Sequence, residues 1–398
     1  MYANTQNTQA TAERGVPRTH IAPSVDGGSL GIYTKLLVTP KNERLHDFIL
    51  QDQSAKLLPK HRVCNCLKKR IDKQKQREVK YNESRKKAHW SNVQRCGSIW
   101  ACPVCAKQVT EGRRSELSLG IERWKTNFSG GCLLLTLTFS HSLDMSLGMS
   151  LEGLKKAYQY FVEHRQVKKI FSSIGVLHKI KGLEVTWGQN GWHPHNHILL
   201  LTEHQVLGFE SYRNLLASIW QNSCIKAGLR SPSMQHGLDI QDGTYAADYV
   251  AKWGLPEELT KGHLKKGRNG SYTPFDLLQL SIENESIHGK LPSKLWQEFA
   301  IAMKGAQQLR WGRGLKKLLL IEEKTDEELA EETEENAILL TDVDNYLFSL
   351  LCTYQKRHEY LRCIERDYEN GCFGTGEAER LLIGLVEQDI ERLNNMTT

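Results

Sequence analysis

Residues 181–202 read KGLEVTWGQNGWHPHNHILLLT, and the pattern of this stretch decides the fold class. The dipeptide Asn190-Gly191 is a strong signal for a tight turn between two antiparallel strands. Polar and apolar residues alternate on both sides of it, as they do in strands with two different faces. The second flank ends in an apolar run that is typical of a buried strand. The stretch therefore predicts a β-hairpin.

Pairing within this hairpin brings metal-ligating side chains onto one face. If the Asn-Gly dipeptide forms the loop, Glu184 lies opposite His197 and Thr186 lies opposite His195, and alternation adds His193 to the same face. A carboxylate with two or three imidazoles suits Mg²⁺ or Mn²⁺ held together with a substrate oxygen. We predict Glu184, His195 and His197 as ligands, with His193 as a further candidate. The alternative is that these histidines only fill structural positions.

Half of the ten cysteines are clustered in one basic segment. They are Cys64, Cys66, Cys96, Cys102 and Cys105. The Cys-Pro-Val-Cys turn at 102–105 is typical of a thiolate pair on Zn²⁺, Cys96 precedes it closely, and Cys66 or Cys64 can supply the fourth ligand. The spacing predicts a structural zinc site. The alternative, a redox Cys-x-x-Cys pair, does not explain the additional cysteines.

A third stretch, DGTYAADYVAKWG at residues 242–254, predicts a helix with two tyrosines and a lysine on one face. Tyr245, Tyr249 and Lys252 lie at i, i+4 and i+7. Such tyrosines commonly only pack. Beside a metal site, however, a phenol can attack a phosphodiester while a lysine neutralises the transition state.

Charge is distributed unevenly along the 398 residues. Residues 1–320 hold 46 basic and 26 acidic side chains, whereas residues 321–398 hold 7 basic and 20 acidic ones. A basic body favours a nucleic-acid partner, because neutralised phosphates release counterions. The acidic segment 325–336 predicts a solvated helix or linker, or alternatively a mimic of DNA that limits non-specific binding. No apolar run long enough for a membrane span and no secretory signal are visible, so we expect a cytoplasmic protein without a membrane partner.

Several of these stretches together resemble HUH-type endonucleases, specifically plasmid rolling-circle replication initiators. LLLTLTFSH (133–141) is similar to their first motif, GWHPHNHILLL to the histidine motif, YAADYVAKW to the tyrosine motif, and RCGSIWACPVC (95–105) to their cysteine-rich segment. The resemblance covers roughly residues 60–320. It implies an α+β fold with a central antiparallel sheet flanked by helices, the HUH nuclease core. An N-terminal zinc-binding module and a helical acidic C-terminal region complete the expected chain.

The resemblance also implies roles for individual residues. His195 and His197 match the two metal-binding histidines, and Tyr249 with Lys252 matches the nucleophile and its lysine. Tyr245 stands where many plasmid initiators have a glutamate, and it resembles instead the paired tyrosines of isometric-phage A proteins and rolling-circle transposases.

The activity implied by the resemblance is metal-dependent nicking and rejoining of one DNA strand at a bacterial plasmid origin. The partners would be single- and double-stranded origin DNA, together with host helicase and polymerase, and the intermediate a covalent 5′-phosphotyrosine. One alternative is a rolling-circle transposase with the same chemistry. Another is a non-catalytic zinc-dependent DNA-binding regulator.

Composition and motifs divide the chain into five expected regions. They are a weakly ordered N-terminal segment (1–60), the cysteine-rich zinc-binding module (61–112), the HUH endonuclease core (113–260), a basic extension (257–320) and the acidic helical C-terminal region (321–398).

Overall fold

A computed structural model of the protein describes residues 43–243, 271–331, 337–372 and 374–397. We number the elements within these ranges in chain order. The strands are β1 (Arg77–Asn82), β2 (Lys87–Ser91), β3 (Gly131–Leu137), β4 (Val176–Gly188), β5 (Gly191–Thr202), β6 (Leu238–Asp242), β7 (Leu309–Trp311) and β8 (Ala337–Val343). The helices are α1 (Glu43–Leu57), α2 (Pro103–Phe128), α3 (Leu147–Glu163), α4 (Arg165–Ser173), α5 (Arg213–Lys226), α6 (Pro274–Leu280), α7 (Pro292–Ala302), α8 (Leu315–Leu318), α9 (Asp326–Glu331), α10 (Asn345–Thr353), α11 (Arg357–Glu369) and α12 (Glu377–Thr397).

The larger of two sheets has five antiparallel strands in the order β6-β3-β5-β4-β7. Its longest strands are β4 and β5, of 13 and 12 residues, which form the predicted hairpin. Strand β5 takes the central position because its second half is apolar on both faces, so both faces must be covered by other elements.

Helices cover the two faces of this sheet to different extents. One face packs along α3, α4 and α5, where Phe161 and Trp220 lie against Ile198 of β5. The opposite face packs against α2 and α8 through Trp124 and Leu201, at the end of the sheet where β5 finishes. The predicted α+β class, antiparallel sheet flanked by helices, is confirmed, whereas its assignment to the HUH core stays a prediction.

The register of the hairpin differs from the predicted one by two residues. The turn consists of Gln189-Asn190, not Asn190-Gly191, and the strands resume with Gly188 opposite Gly191. Glu184 therefore pairs with His195 and not with His197. The predicted register was wrong.

A tertiary contact explains the difference. Gly191 has a φ of +86°, and a Cβ atom at this position would lie 2.8 Å from the carbonyl oxygen of Ser142. The glycine thus permits close approach of the loop after β3, and it is not part of the turn. Because the shift is two residues, every side chain keeps its face. Thr186, for example, faces His193 in place of His195.

Local signals set two of the helix boundaries. Helix α2 begins at Pro103, because a proline is tolerated in the first turn, where the missing N–H costs nothing. Helices α3 and α4 are separated at His164, whose Nδ1 accepts a hydrogen bond from the backbone N–H of Gln166. None of the helices described is long and apolar enough to cross a membrane.

The smaller sheet joins the two ends of the described chain. Its strand order is β2-β1-β8, so the predicted acidic C-terminal region contributes a strand to the predicted zinc-binding module. Trp90 of β2 packs against Phe348 and Tyr360 of the C-terminal helices, with ring centroids 5.0 and 5.8 Å away. The two regions share one sheet and one hydrophobic core. The division of the chain into five regions stays a prediction.

The acidic segment is packed where the structure describes it. Within α9, Leu329 and Ala330 are only 3% and 1% exposed, and Asp326 forms an ion pair of 2.7 Å with Arg113 of α2. The predicted helix is therefore confirmed for α9, but one of its faces is packed and not solvated, and the alternative of a flexible linker is wrong there. Residues 332–336 lie outside the described ranges.

Candidate metal centres

Three of the predicted metal ligands meet on one face of the larger sheet. Glu184 projects from β4, and His195 and His197 project from the neighbouring β5. One carboxylate oxygen, Oε2 of Glu184, lies 3.0 Å from Nε2 of each histidine. The three side chains sit toward the hairpin end, away from the part of this face that α2 covers.

Both imidazoles are oriented through their other ring nitrogen. Nδ1 of His197 lies 3.1 Å from the hydroxyl of Thr136 on β3, and Nδ1 of His195 lies 3.4 Å from the carbonyl oxygen of His193. A carbonyl can only accept, so Nδ1 of His195 donates to it. When Nδ1 carries the proton, Nε2 holds the lone pair that a metal requires. These contacts therefore aim both Nε2 atoms at the Glu184 side of the cluster.

The spacing fits a cation with oxygen and nitrogen ligands. Ligands about 2.1 Å from Mg²⁺ in octahedral geometry lie about 3.0 Å apart at neighbouring positions. That is the separation between Glu184 and each histidine. The three atoms lie within 4.8 Å of one another, and three ligands leave further positions for substrate oxygens. The cluster is compatible with a bound metal.

Electrostatics favour the cation-binding protonation states of Glu184 and His197. Burial alone would raise the pKa of Glu184, but the imidazoles of His195 and His197 outweigh it and hold the pKa of this carboxyl well below its ordinary value. Burial lowers the pKa of His197. Burial also acts to lower the pKa of His195, yet the Glu184 carboxylate raises it above its ordinary value. At neutral pH the carboxylate is ionised and His197 is neutral, as metal ligation requires.

His193, the further candidate, lies beside this cluster and outside the group of converging ligand atoms. Its ring stacks on His141 at 4.5 Å with an angle of 11° between the planes. Burial lowers the pKa of His193 to about 3, so its imidazole is neutral at physiological pH. A role for His193 as a ligand stays a prediction.

A second convergence of ligand atoms is formed by cysteines. The sulfurs of Cys66, Cys96, Cys102 and Cys105 lie within 4.8 Å of one another, and all four side chains are buried. Sulfur–sulfur distances are 3.5 Å from Cys66 to Cys105 and 3.7 Å from Cys96 to Cys105. Zn–S bonds of about 2.3 Å in a tetrahedron place sulfurs about 3.8 Å apart. The cluster is thus compatible with a tetrahedral metal site.

The structure separates the two cysteines that compete for the fourth position. The sulfur of Cys64 points away from the cluster, and its thiol lies 3.2 Å from the carbonyl oxygen of Leu58 and 3.4 Å from that of Ala55. Cys66 is 1% exposed and contacts the sulfurs of Cys105 and Cys102.

Protonation within the cysteine cluster is uneven. Hydrogen bonds from Cys102, then from Cys66 and Cys96, hold the pKa of Cys105 well below its ordinary value. Burial raises the pKa of Cys102 well above it. Without a metal, the cluster thus favours the thiolate of Cys105 and disfavours that of Cys102. A divalent cation would remove this difference, because it stabilises all four thiolates at once.

The tyrosine motif cannot be placed in the same way. Tyr245, Tyr249 and Lys252 lie outside the described residues. Strand β6, which precedes them, ends at Asp242 on the edge of the larger sheet.

Residues 86–223 match the family model described as replication protein. This segment of the chain is similar to replication proteins. It extends from β2 into α5, and it contains the whole β4–β5 hairpin with Glu184, His195 and His197. The resemblance to replication initiators is thereby confirmed at the level of the family.

The chain is also similar to two curated relatives. Over 292 residues it is 28% identical to a protein of Streptomyces lividans described as "Protein rep", an alignment that covers 57% of this chain and 64% of the relative. Over 132 residues it is 28% identical to a "Neomycin resistance protein" of Streptomyces cyanogenus, covering 27% of this chain and 30% of the relative. The chain therefore spans less than two thirds of the length of either relative. No solved structure matches it.

Sequence reasoning missed residues that orient the ligands. Thr136 was part of a recognised motif, and its signal was a polar residue within the apolar run CLLLTLTF. Gln51, whose amide donates to the sulfur of Cys102 at 3.4 Å, gave no signal, because a single glutamine in helix α1 resembles any surface residue.

Thr136 gives a test of the oxygen–nitrogen cluster. Thr136→Val keeps the shape of the side chain and removes the hydroxyl that contacts Nδ1 of His197. We expect affinity for Mn²⁺ to fall by about 10- to 100-fold, as for other residues that orient a metal ligand. Isothermal titration of the purified protein with Mn²⁺ measures this.

The matched control is Thr138→Val, which removes a hydroxyl that donates to the carbonyl oxygen of His236 at 2.9 Å. It should bind Mn²⁺ as the parent protein does. Equal affinities in the two variants would contradict the orienting role of Thr136.

Proposed function

We propose that this replication protein is the initiator of a rolling-circle plasmid, and that it nicks and rejoins one DNA strand at the origin. The observation that carries the proposal is the Glu184–His195–His197 cluster inside the replication-protein domain. Its ligand atoms share one side, which leaves positions for phosphate oxygens. Mg²⁺ or Mn²⁺ fits this donor set, and Zn²⁺ fits the four buried cysteines.

The sequence motif supports Tyr249 as the nucleophile. Tyr249 with Lys252 matches the nucleophile and its lysine in the family that the motif resembles. The motif follows β6 in the chain, and Asp239 of β6 lies level with His197, two strands across the sheet.

The proposed reaction is a transesterification. The phenolic oxygen of Tyr249 attacks the phosphorus, an O–P bond to tyrosine forms, and the bond from phosphorus to the 3′ oxygen breaks. The proton of the phenol is lost to solvent or a base, and the departing oxygen takes up a proton to become a 3′-OH. When bound, the cation polarises the phosphate. Lys252 offsets negative charge, and one phosphodiester is exchanged for another, so no nucleoside triphosphate is consumed.

The second tyrosine completes the cycle in this proposal. After one lap the new junction must be cleaved while the first adduct still exists, so another nucleophile is required. Tyr245 lies one helical turn before Tyr249 in the predicted helix and can reach the same phosphate. A host polymerase would extend the 3′-OH, and a host helicase would separate the strands.

The two tyrosines differ in their expected variants. Tyr249→Phe should remove most initial nicking of a supercoiled plasmid, since no phenol attacks first. Tyr245→Phe should nick but fail to terminate, which yields multimeric single strands. Peptide mapping of the protein–DNA adduct assigns the roles directly. Tyr160→Phe serves as a tyrosine control, because Tyr160 lies on α3, away from the sheet face that carries the metal cluster. An adduct found only on Tyr245 would reverse the assignment, and free 5′ phosphate without an adduct would remove the tyrosine mechanism.

The same assays distinguish the proposed initiator from the two alternative functions. A zinc-dependent DNA-binding regulator would bind the plasmid and never nick it, with or without Mg²⁺ or Mn²⁺. A rolling-circle transposase would share the nicking but act at transposon ends. Mapping the nick on the DNA that carries the gene distinguishes an origin hairpin from such ends.

A further inference from the structure

A buried series of hydrogen bonds connects the cysteine cluster to the C-terminal helices. Gln51 of α1 is fully buried, at 0% exposure, and its Nε2 donates to the sulfur of Cys102 at 3.4 Å. Its Oε1 accepts from Nη1 of Arg357, the first residue of α11, also at 3.4 Å. One amide thus contacts a cysteine with one end and a C-terminal guanidinium with the other.

Arginine is an unusual residue to bury, and the positive charge of Arg357 is only partly offset by its neighbours. It is 1% exposed, its guanidinium lies over the ring of Phe48 at 4.8 Å, and Nη2 contacts Asp52 at 2.7 Å. Asp52 also pairs with Lys68 at 2.8 Å, so this carboxylate serves two cations. A charge removed from water is costly unless it is compensated, so a further negative partner nearby would stabilise Arg357 beyond the carboxylate that it shares with Lys68.

The cysteine cluster supplies that partner once it holds a divalent cation. Four thiolates carry four negative charges, and a divalent ion offsets two of them. The remaining charge is enclosed where the cysteines are 0–3% exposed. Another arginine also lies beside the cluster, because Arg62 donates to the carbonyl oxygen of Cys96. Arg62 belongs to the cysteine-rich segment, whereas Arg357 comes from the C-terminal region.

We infer that Gln51 and Arg357 are positioning residues of the cysteine metal site, and that through them metal binding and docking of the C-terminal helices stabilise each other. Such coupling is reciprocal: whatever α11 contributes to metal affinity, the metal contributes to the attachment of α11. The inference rests on a metal in the cysteine cluster and not on DNA nicking. None of its tests uses DNA, so its failure is distinguishable from failure of the replication function.

Gln51→Leu tests the central residue of this series of contacts, and it changes the side-chain volume little. In the full-length zinc-loaded protein, competition with a chromogenic chelator should show zinc affinity about 10- to 100-fold weaker than in the parent. Gln53→Leu is the control, because Gln53 lies on the same helix and donates instead to Ser281. An unchanged affinity in Gln51→Leu, or an equal loss in Gln53→Leu, overturns the inference.

Arg357→Met tests the C-terminal end of this series of contacts. The control is Arg366→Met on the same helix, because the side chain of Arg366 is 47% exposed and pairs with Glu377. In cobalt-substituted protein, Arg357→Met and Gln51→Leu should shift the sulfur-to-cobalt absorption, and Arg366→Met should not. The loss of zinc affinity in the double variant, Gln51→Leu with Arg357→Met, should differ from the sum of the losses in the two single variants. Additive losses or an unshifted spectrum count against the chain of contacts.

A measurement on the unaltered protein covers the case in which Arg357→Met does not fold. Removing zinc with a chelator should increase hydrogen exchange in peptides from α11 together with those around Cys102. If α11 keeps its protection while the cysteine segment loses it, the coupling does not exist. Elemental analysis that finds no metal in the native protein would remove the metal proposal itself, which is a separate outcome.

Discussion

His197→Ala should reduce nicking of a supercoiled origin plasmid by roughly 10³-fold, while affinity for the DNA stays close to that of the parent. The imidazole of His197 shares Oε2 of Glu184 with His195, and removing it takes away one of three converging ligands. Electrophilic assistance at a phosphate contributes several kcal/mol, and about 4 kcal/mol corresponds to about 10³ in rate. DNA affinity comes mainly from lysine and arginine contacts to phosphates, which this change leaves in place.

The matched control for this variant is His204→Ala. His204 follows the same strand, and its side chain is exposed beyond the end of β5. It should nick at the parental rate. Glu184→Gln should fall between the two, since the amide keeps one neutral oxygen for the cation and loses the charge. If His197→Ala nicks at the parental rate after trace metals have been removed, the histidines are not ligands in the reaction.

Cys102→Ser should abolish zinc binding and unfold the cysteine-rich segment. Zinc contributes about 10–16 kcal/mol to the folding of small cysteine sites, which is comparable with the whole net stability of about 5–15 kcal/mol of an ordinary domain. Cys102 is completely buried, at 0% exposure, so a hydroxyl that binds zinc poorly would have no water to replace the lost bond. Elemental analysis and thermal unfolding of the purified variant measure both effects.

Cys64→Ser is the control for this prediction. Cys64 lies two residues from Cys66, and its thiol contacts backbone carbonyls outside the cluster. This variant should keep its zinc and melt close to the parental temperature. Loss of zinc from Cys64→Ser, with retention in Cys66→Ser, would contradict the arrangement of the cluster.

The face that carries the oxygen–nitrogen cluster was readable from the sequence because strands alternate with a period of two. Glu184, His193, His195 and His197 had to share a face in any register that kept the hairpin in phase. A shift of two residues keeps the phase, so the local pattern could not choose between the predicted and the observed pairing. That choice was made by Gly191, which lies against the loop after β3.

Contacts from distant segments were not readable. The hydroxyl that orients His197 comes from Thr136, 61 residues earlier in the chain. The amide at the sulfur of Cys102 comes from Gln51 on another helix. Such partners depend on how elements pack, and their own sequence neighbourhoods do not indicate which ligand they support.

The sequence by itself determined the residue types and their local spacing: a Cys-x-x-Cys turn, imidazoles at alternate positions and an antiparallel hairpin. These follow from backbone geometry within a few residues. Only the tertiary structure decided that Cys66 and not Cys64 joins the cysteine cluster, and that β8 completes the sheet of β1 and β2. The physical reason is that an unpaired strand edge and a buried apolar face specify that a partner is needed, while packing over hundreds of residues selects which segment supplies it.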